Sequence, residues 1–279
     1  MSLKIINMIG NGARKTKRAF NSLYILMWGV FSIIMSGLVH AKTLRIVTLE
    51  YPPYQYLENN VPKGIGVEIV TEVFKRLKQP IDIQFLPWGR AIRELQSGHA
   101  DGIFTIYFSK DRQQTMLYSD QVLIMQSVSI FTRKDTDIKL VGNIRELGEV
   151  RVGLVRNVSY GTEIDAAIKS GVIDQLVETN SGTQSFKLLL ADRVDVVISN
   201  KLGGMNIVQR LGLQNTVVPN PLYELSIPSY FAFSKNAQGE KLKAQFDKTL
   251  QAIKADGTYD AILQLSRNCR AATCFEVGE

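Results

Sequence analysis

The chain has 279 residues, 45% hydrophobic and 21% charged, a globular balance that excludes disorder as its main state. Its formal charge of +7 is concentrated at one end: residues 1–41 hold Lys4, Arg14, Lys15, Lys17 and Arg18 and no acid, leaving 28 basic against 26 acidic residues beyond them. That near-neutral remainder takes away the main support for a nucleic-acid partner, and none is expected.

Residues 1–41 pair the basic cluster with the apolar run LYILMWGVFSIIMSGLV and end in Val39-His40-Ala41. They read as a secretory signal peptide cleaved after Ala41. The competing reading is an uncleaved membrane anchor, because the run approaches the roughly 17–25 residues of a membrane span; Ser32 and Ser36 weaken it. A soluble periplasmic protein is the expectation. In that oxidising compartment Cys269 and Cys274, five apart, are expected to form a disulfide that staples the tail, with two free thiols as the alternative.

From Lys42 the pattern is strand (LRIVTL), loop (YPPYQYLENNVPKG) and a helix in GVEIVTEVFKRL with Val67, Val70, Phe74 and Leu77 on one face. A strand (IDIQFL), a helix opened by Pro87 and ended near Gly98, and a strand (DGIF) follow, giving β-α-β-α-β. An extended crossing segment, VLIMQSVSIFTRKD, leads to the same order again: RVGLV, GTEIDAAIKS, DQLVET, TQSFKLLLA and VDVVIS. Leu95, Gly98, Asp101 and Phe104 match Leu189, Asp192, Asp195 and Ile198 in spacing, which makes Thr105 and Ser199 equivalent strand-end residues. A second crossing segment, IPSYFAFSKN, and two C-terminal helices complete the chain. The expected organisation is a signal peptide over 1–41, a first lobe over 42–133 and 231–279, and a second lobe over 134–230.

Ligands of open α/β sheets bind beyond the carboxyl ends of the strands. The segments to inspect are therefore YPPYQY, PWGR, TIYFSKDR, RNVSYG and SNKLGG, read as loops. Arg112 follows a strand end beside Thr105 and Tyr107, and its planar fork matches a carboxylate; a solvated surface arginine is the bland alternative. Ser159 precedes a helix starting near Gly161 and suits a cap, an anion contact or both. Tyr51, Tyr54 and Trp88 offer apolar faces to a ligand body, although Trp88 equally suits a core. Beyond residue 41 the sole histidine is His99. A Ser-His-Asp or Cys-His hydrolase and a His-rich metal site are thus disfavoured. No glycine motif cradles a phosphate, and no cofactor or metal is expected.

YPPYQYLE with GIGVEIVTEV, PWGRAIRELQSGHADGIF, SKDRQQTMLYSD, RVGLVRNVSYG and RVDVVISN together resemble the bacterial extracellular solute-binding proteins of family 3, typified by periplasmic binding proteins for polar amino acids. The resemblance covers nearly all of the chain after residue 41. It implies a type II-like α/β fold of two Rossmann-like lobes on a hinge of crossing strands, closing on a small carboxylate ligand for an inner-membrane ABC permease; a sensor is the alternative partner, and a monomer is the default expectation. It also implies that Arg112 grips the ligand carboxylate, that Ser159 assists at a helix start and that Tyr54 covers the side chain. Phe104, Thr105 and Tyr107 fall in the ligand-facing strand-end loop; Trp88, Asn157, Tyr160 and Asn200 complete the candidate site.

One position departs from the family: the acid that receives the ligand ammonium falls at Asn200, and an amide supplies no charge. Asn157-Val158-Ser159 and the bulky Tyr107 depart as well, so a carboxylate without a free amine enters as a candidate ligand. Two other functions compete with a transport binding protein. One is a cyclohexadienyl-dehydratase-like enzyme, for which Glu163 and Glu224 are the candidate acids. The other is a sensory module acting through a membrane receptor.

Overall fold

The computed structural model describes residues 42–138 and 140–271. The proposed signal peptide and Cys274 lie outside these residues, and so does the Cys269 side chain. Among the described residues no helix is long and apolar enough to cross a membrane.

The first half is built as its periodicity predicts: β1 (Leu44–Thr48), α1 (Ile65–Arg76), β4 (Ile81–Phe85), α2 (Trp88–Gln96) and β5 (Gly102–Tyr107). Ile69, Val70, Val73 and Phe74 of α1 are buried. The second half repeats it with β8 (Val152–Val155), α4 (Thr162–Lys169), β9 (Leu176–Thr179), α5 (Gly182–Leu190) and β10 (Val196–Asn200). The repeat reaches individual atoms. The Arg45 N–H donates to the Asp101 carboxylate at 2.9 Å and accepts Asp101 N–H on its carbonyl at 2.8 Å; Arg151 and Asp195 make the same pair at 2.7 and 2.9 Å. Gly98 and its counterpart Asp192 both adopt positive φ, 77° and 54°.

Several elements carry no clear sequence signal. A small hairpin, β2 (Tyr56–Glu58) and β3 (Val61–Lys63), occupies the first loop, and β6 (Met116–Tyr118) follows Arg112. Arg112 itself belongs to a four-residue helix, α3 (Lys110–Gln113), rather than to an irregular loop. SNKLGG is likewise no loop: it holds the end of β10 and the first turn of α6 (Lys201–Arg210), whose two glycines hide a helix from propensity-based reading.

The halves share one sheet in the order β4-β1-β5-β11-β7-β10-β8-β9, with β6 on β11. β7 (Ile124–Arg133) and β11 (Val217–Ser234) are antiparallel crossing strands; β11 pairs with β7 at its start and with β5 and β6 at its end. Apolar clusters cover both faces at each end. The first lobe joins α1 and Phe231 to Leu242, Phe246, Leu250 and Ile253 of α7 (Ala237–Ala255), with Ile262 of α8 (Thr258–Ala271) alongside. In the second, Val128 and Ile130 lie with Val152 and Ile198, and Phe131 lies with Phe186. Within β7, Ile124 belongs to a first-lobe cluster, whereas Val128, Ile130 and Phe131 belong to clusters with second-lobe helices.

Candidate functional site

A cavity of about 420 Å³ opens where the carboxyl ends of β1, β5, β8 and β10 meet. Residues from both lobes line it, including eight of the ten candidates: Arg112, Ser159, Tyr54, Thr105, Tyr107, Asn200, Trp88 and Tyr160. The other two are placed differently. Phe104 is fully buried in the first-lobe core, and Asn157 contributes its backbone carbonyl to Arg112 without lining the cavity.

The Phe104 displacement has a backbone cause. In the pairing with β11, Ile106 stands opposite Tyr230 and Phe104 opposite Phe231, so Thr105 is an extra residue, a bulge. Its φ is +58°, rare for a β-branched residue. The bulge breaks side-chain alternation: Ile103 and Ile106 enter one core cluster, Phe104 enters the other, and Thr105 and Tyr107 are left for the cavity. The Thr105 hydroxyl accepts from Gln55 Nε2 at 2.7 Å and donates to the Phe104 carbonyl at 2.7 Å.

Arg112 donates from Nη2 to the Asn157 carbonyl across the cleft at 2.7 Å, while Nη1 is buried with no hydrogen-bond partner in the protein. A buried guanidinium nitrogen left unpaired is costly and unusual. Burial raises the pKa of the neighbouring Tyr118 phenol, and the Arg112 charge opposes that shift. Two further cavity residues carry buried unpaired atoms, Trp88 Nε1 and Gln55 Oε1.

Ser159 lines the cavity beside the start of α4, as expected, but its hydroxyl donates to the Asp165 carboxylate, whose second oxygen accepts from Tyr160 N–H at 2.8 Å. An internal carboxylate of α4 thus takes the hydroxyl proton that the resemblance assigns to a ligand. The Tyr160 hydroxyl in turn accepts from Val155 N–H at 2.7 Å.

Asn200 is the most heavily used polar group. Its Oδ1 caps α6 by accepting from Gly203 N–H at 3.0 Å, and its Nδ2 donates to Gln126 Oε1 at 2.8 Å and to Tyr107 Oη at 3.2 Å. Gln126 Oε1 also accepts from the Tyr107 hydroxyl at 3.1 Å, and Gln126 Nε2 donates to Ser229 Oγ on the second crossing strand at 2.9 Å. A further cross-lobe bond joins Tyr51 Oη to Ser199 Oγ at 3.0 Å. Gly203 permits that approach, since a Cβ there would stand 2.3 Å from the Tyr51 ring.

Burial pushes the Tyr51 pKa up to about 12 and those of Tyr107 and Tyr160 up as well, so these phenols stay neutral donors. The carboxylate among the lining residues is Glu50, which is exposed. Glu163 and Glu224 line a separate recess of about 70 Å³, and Glu224 pairs with Lys201 at 2.5 Å. No group of three or more His, Cys, Asp or Glu among the described residues is placed to hold a metal. Sequence reasoning missed Gln55 and Gln126; the only signal for Gln126 was a long polar side chain among the apolar and small residues of VLIMQSVSIF.

Known proteins of this form are numerous. The chain is 26% identical over 216 residues to the L-cystine-binding protein TcyA of Bacillus subtilis (strain 168), covering 76% of each chain. It is 22% identical to the putative amino-acid ABC transporter-binding protein PatH of Vibrio harveyi, covering 76% of this chain and 83% of that one. Among solved structures, an ancestral arginine-binding protein bound to arginine superposes with a TM-score of 0.69 at 22% identity, over 81% of this chain and 98% of the other. A histidine kinase sensor domain with similarity to periplasmic binding proteins does so at 0.71 and 22%, over 80% and 95%. These structural likenesses establish the two-lobed fold. The family model of the bacterial extracellular solute-binding proteins, family 3, matches residues 44–265, the whole of both lobes as far as the last helix, and the chain belongs to that family.

Proposed function

We propose that the protein is a periplasmic solute-binding protein that closes its lobes on a small carboxylate-bearing solute, held by Arg112, and presents it to an ABC permease. The observation that carries this reading is the buried, unpartnered Nη1 of Arg112 beside an aromatic cavity, with Nη2 already anchored across the cleft. A carboxylate oxygen is the group that would satisfy it best, because charge-assisted pairs are the strong ones in a partly dry site. Tyr51, Tyr54 and Trp88 would wall the ligand body, and the β7 and β11 crossing strands would be the hinge. The name of the Vibrio harveyi relative, a putative amino-acid ABC transporter-binding protein, supports a transport role.

A dehydratase function has less support. Its chemistry needs an acid confined at the ligand, and both candidate acids, Glu163 and Glu224, line the other recess.

The test is thermal unfolding with a panel of organic acids, amino acids and uncharged analogues. A ligand at about a hundred times its Kd should raise the melting temperature by roughly 5–10 °C through mass action. Shifts confined to carboxylates support the reading; folded protein that no carboxylate stabilises contradicts it.

A further inference from the structure

The end of the cavity opposite in character to Arg112 is closed and neutral. Asn200, 5% exposed, spends its oxygen on the α6 cap and its amide hydrogens on Gln126 and Tyr107. Gln126, also 5% exposed, has its Oε1 filled by two donors and its Nε2 turned to Ser229. Asp165, behind Ser159 and outside the lining residues, has both oxygens occupied. Glu50, the lining carboxylate, is exposed to solvent. An ammonium group brought beside Asn200 and Gln126 would lose its hydration and meet no buried anion there and no vacant acceptor on either side chain. Burying an unpaired charge carries a large penalty. Two lining residues also carry buried polar atoms without a hydrogen-bond partner, the acceptor Gln55 Oε1 and the donor Trp88 Nε1. Neither requires a charged partner.

Resting on the carboxylate reading above, we propose that the site selects carboxylates whose α-amine is absent or masked, namely 2-hydroxy acids and N-acylated amino acids, over free amino acids. The carboxylate pairs with Arg112, a neutral O–H or N–H suits Gln55, and in the acylated class the acyl oxygen suits Trp88. Discrimination comes from the missing anion, since the same side chain fits the aromatic walls in every member.

The test is calorimetric titration of matched sets sharing one side chain: the free amino acid, its 2-hydroxy acid and its N-acetyl derivative, for aromatic, aliphatic and polar side chains. The expected result is that the hydroxy or acetyl member binds at least about tenfold more tightly than the free amino acid of its set. Comparing those two members tells which neutral donor is preferred. The Asn200→Asp variant retains a helix-capping oxygen and is expected to reverse the order in favour of the free amino acid. A wild-type preference for the free amino acid, with binding still lost in Arg112→Ala, overturns this proposal and leaves the carboxylate reading standing. Absence of binding by every member of every set overturns both.

Discussion

Thr105 shows how much of the site depends on one residue. A β-branched residue at a φ of +58° stores strain of about 1–3 kcal/mol, and the hydroxyl that bridges Gln55 to the Phe104 carbonyl helps hold it there. Thr105→Ala keeps the strained backbone and removes that bridge, so it should lower unfolding free energy by about 1–3 kcal/mol in urea titrations. This bulge also explains why Tyr107 lines the cavity as expected while Phe104, expected beside it, turns into the core. Strand alternation gives facing only where the ladder is regular, and nothing in GIFTIY marks Thr105 as the extra residue. Chemistry at this scale predicts a simple pH response. The cavity lining contains no histidine, its phenols are pushed upward by burial, and an arginine stays charged in proteins. Affinity for a carboxylate should therefore be flat between about pH 5.5 and 9, where the free ligand is already ionised; a loss centred near pH 6–7 in calorimetric titration would point to a different recognising group.

At the scale of elements, helix starts divide into those the protein fills itself and those facing the cavity. Asn236 caps α7 by accepting from Gly239 N–H at 2.8 Å, on a helix that packs in the first-lobe core and does not line the cavity. Asn236→Ala should cost about 1 kcal/mol and lower the melting temperature by roughly 2–4 °C, with ligand affinity unchanged in a parallel titration. Asn200 caps α6 through the same side-chain bond to the N–H three residues on, yet its amide hydrogens also enter the cavity network. The sequence placed Asn200 at the right strand end but said nothing of its capping role, because α6 was hidden behind its glycines. Periodicity revealed α1 and α7 through their Val, Phe and Leu faces; β2, β3 and β6, three residues each, are too short to show any period.

At the scale of the molecule, the doubled β-α-β-α-β order and the Asp101 and Asp195 match correctly indicated two equivalent halves, confirmed by their paired Arg45 and Arg151 bonds. A lobe boundary is hard to read inside a crossing strand such as β7, because the allegiance of its apolar side chains depends on which helices cover them. The halves are joined through Arg112 to Asn157, Tyr51 to Ser199 and Asn200 to Tyr107, so the proposed cationic anchor is also a bond between lobes. A ligand that completes Arg112 thereby favours the closed form, which is how differential affinity drives a hinge. The most direct measurement is the calorimetric affinity of wild type and Arg112→Ala for the carboxylate giving the largest thermal shift. Removing one partner of a buried charge pair costs about 2–5 kcal/mol, so the account predicts a loss of at least about thirtyfold. Equal affinity in the two proteins, with the variant folded, would contradict it.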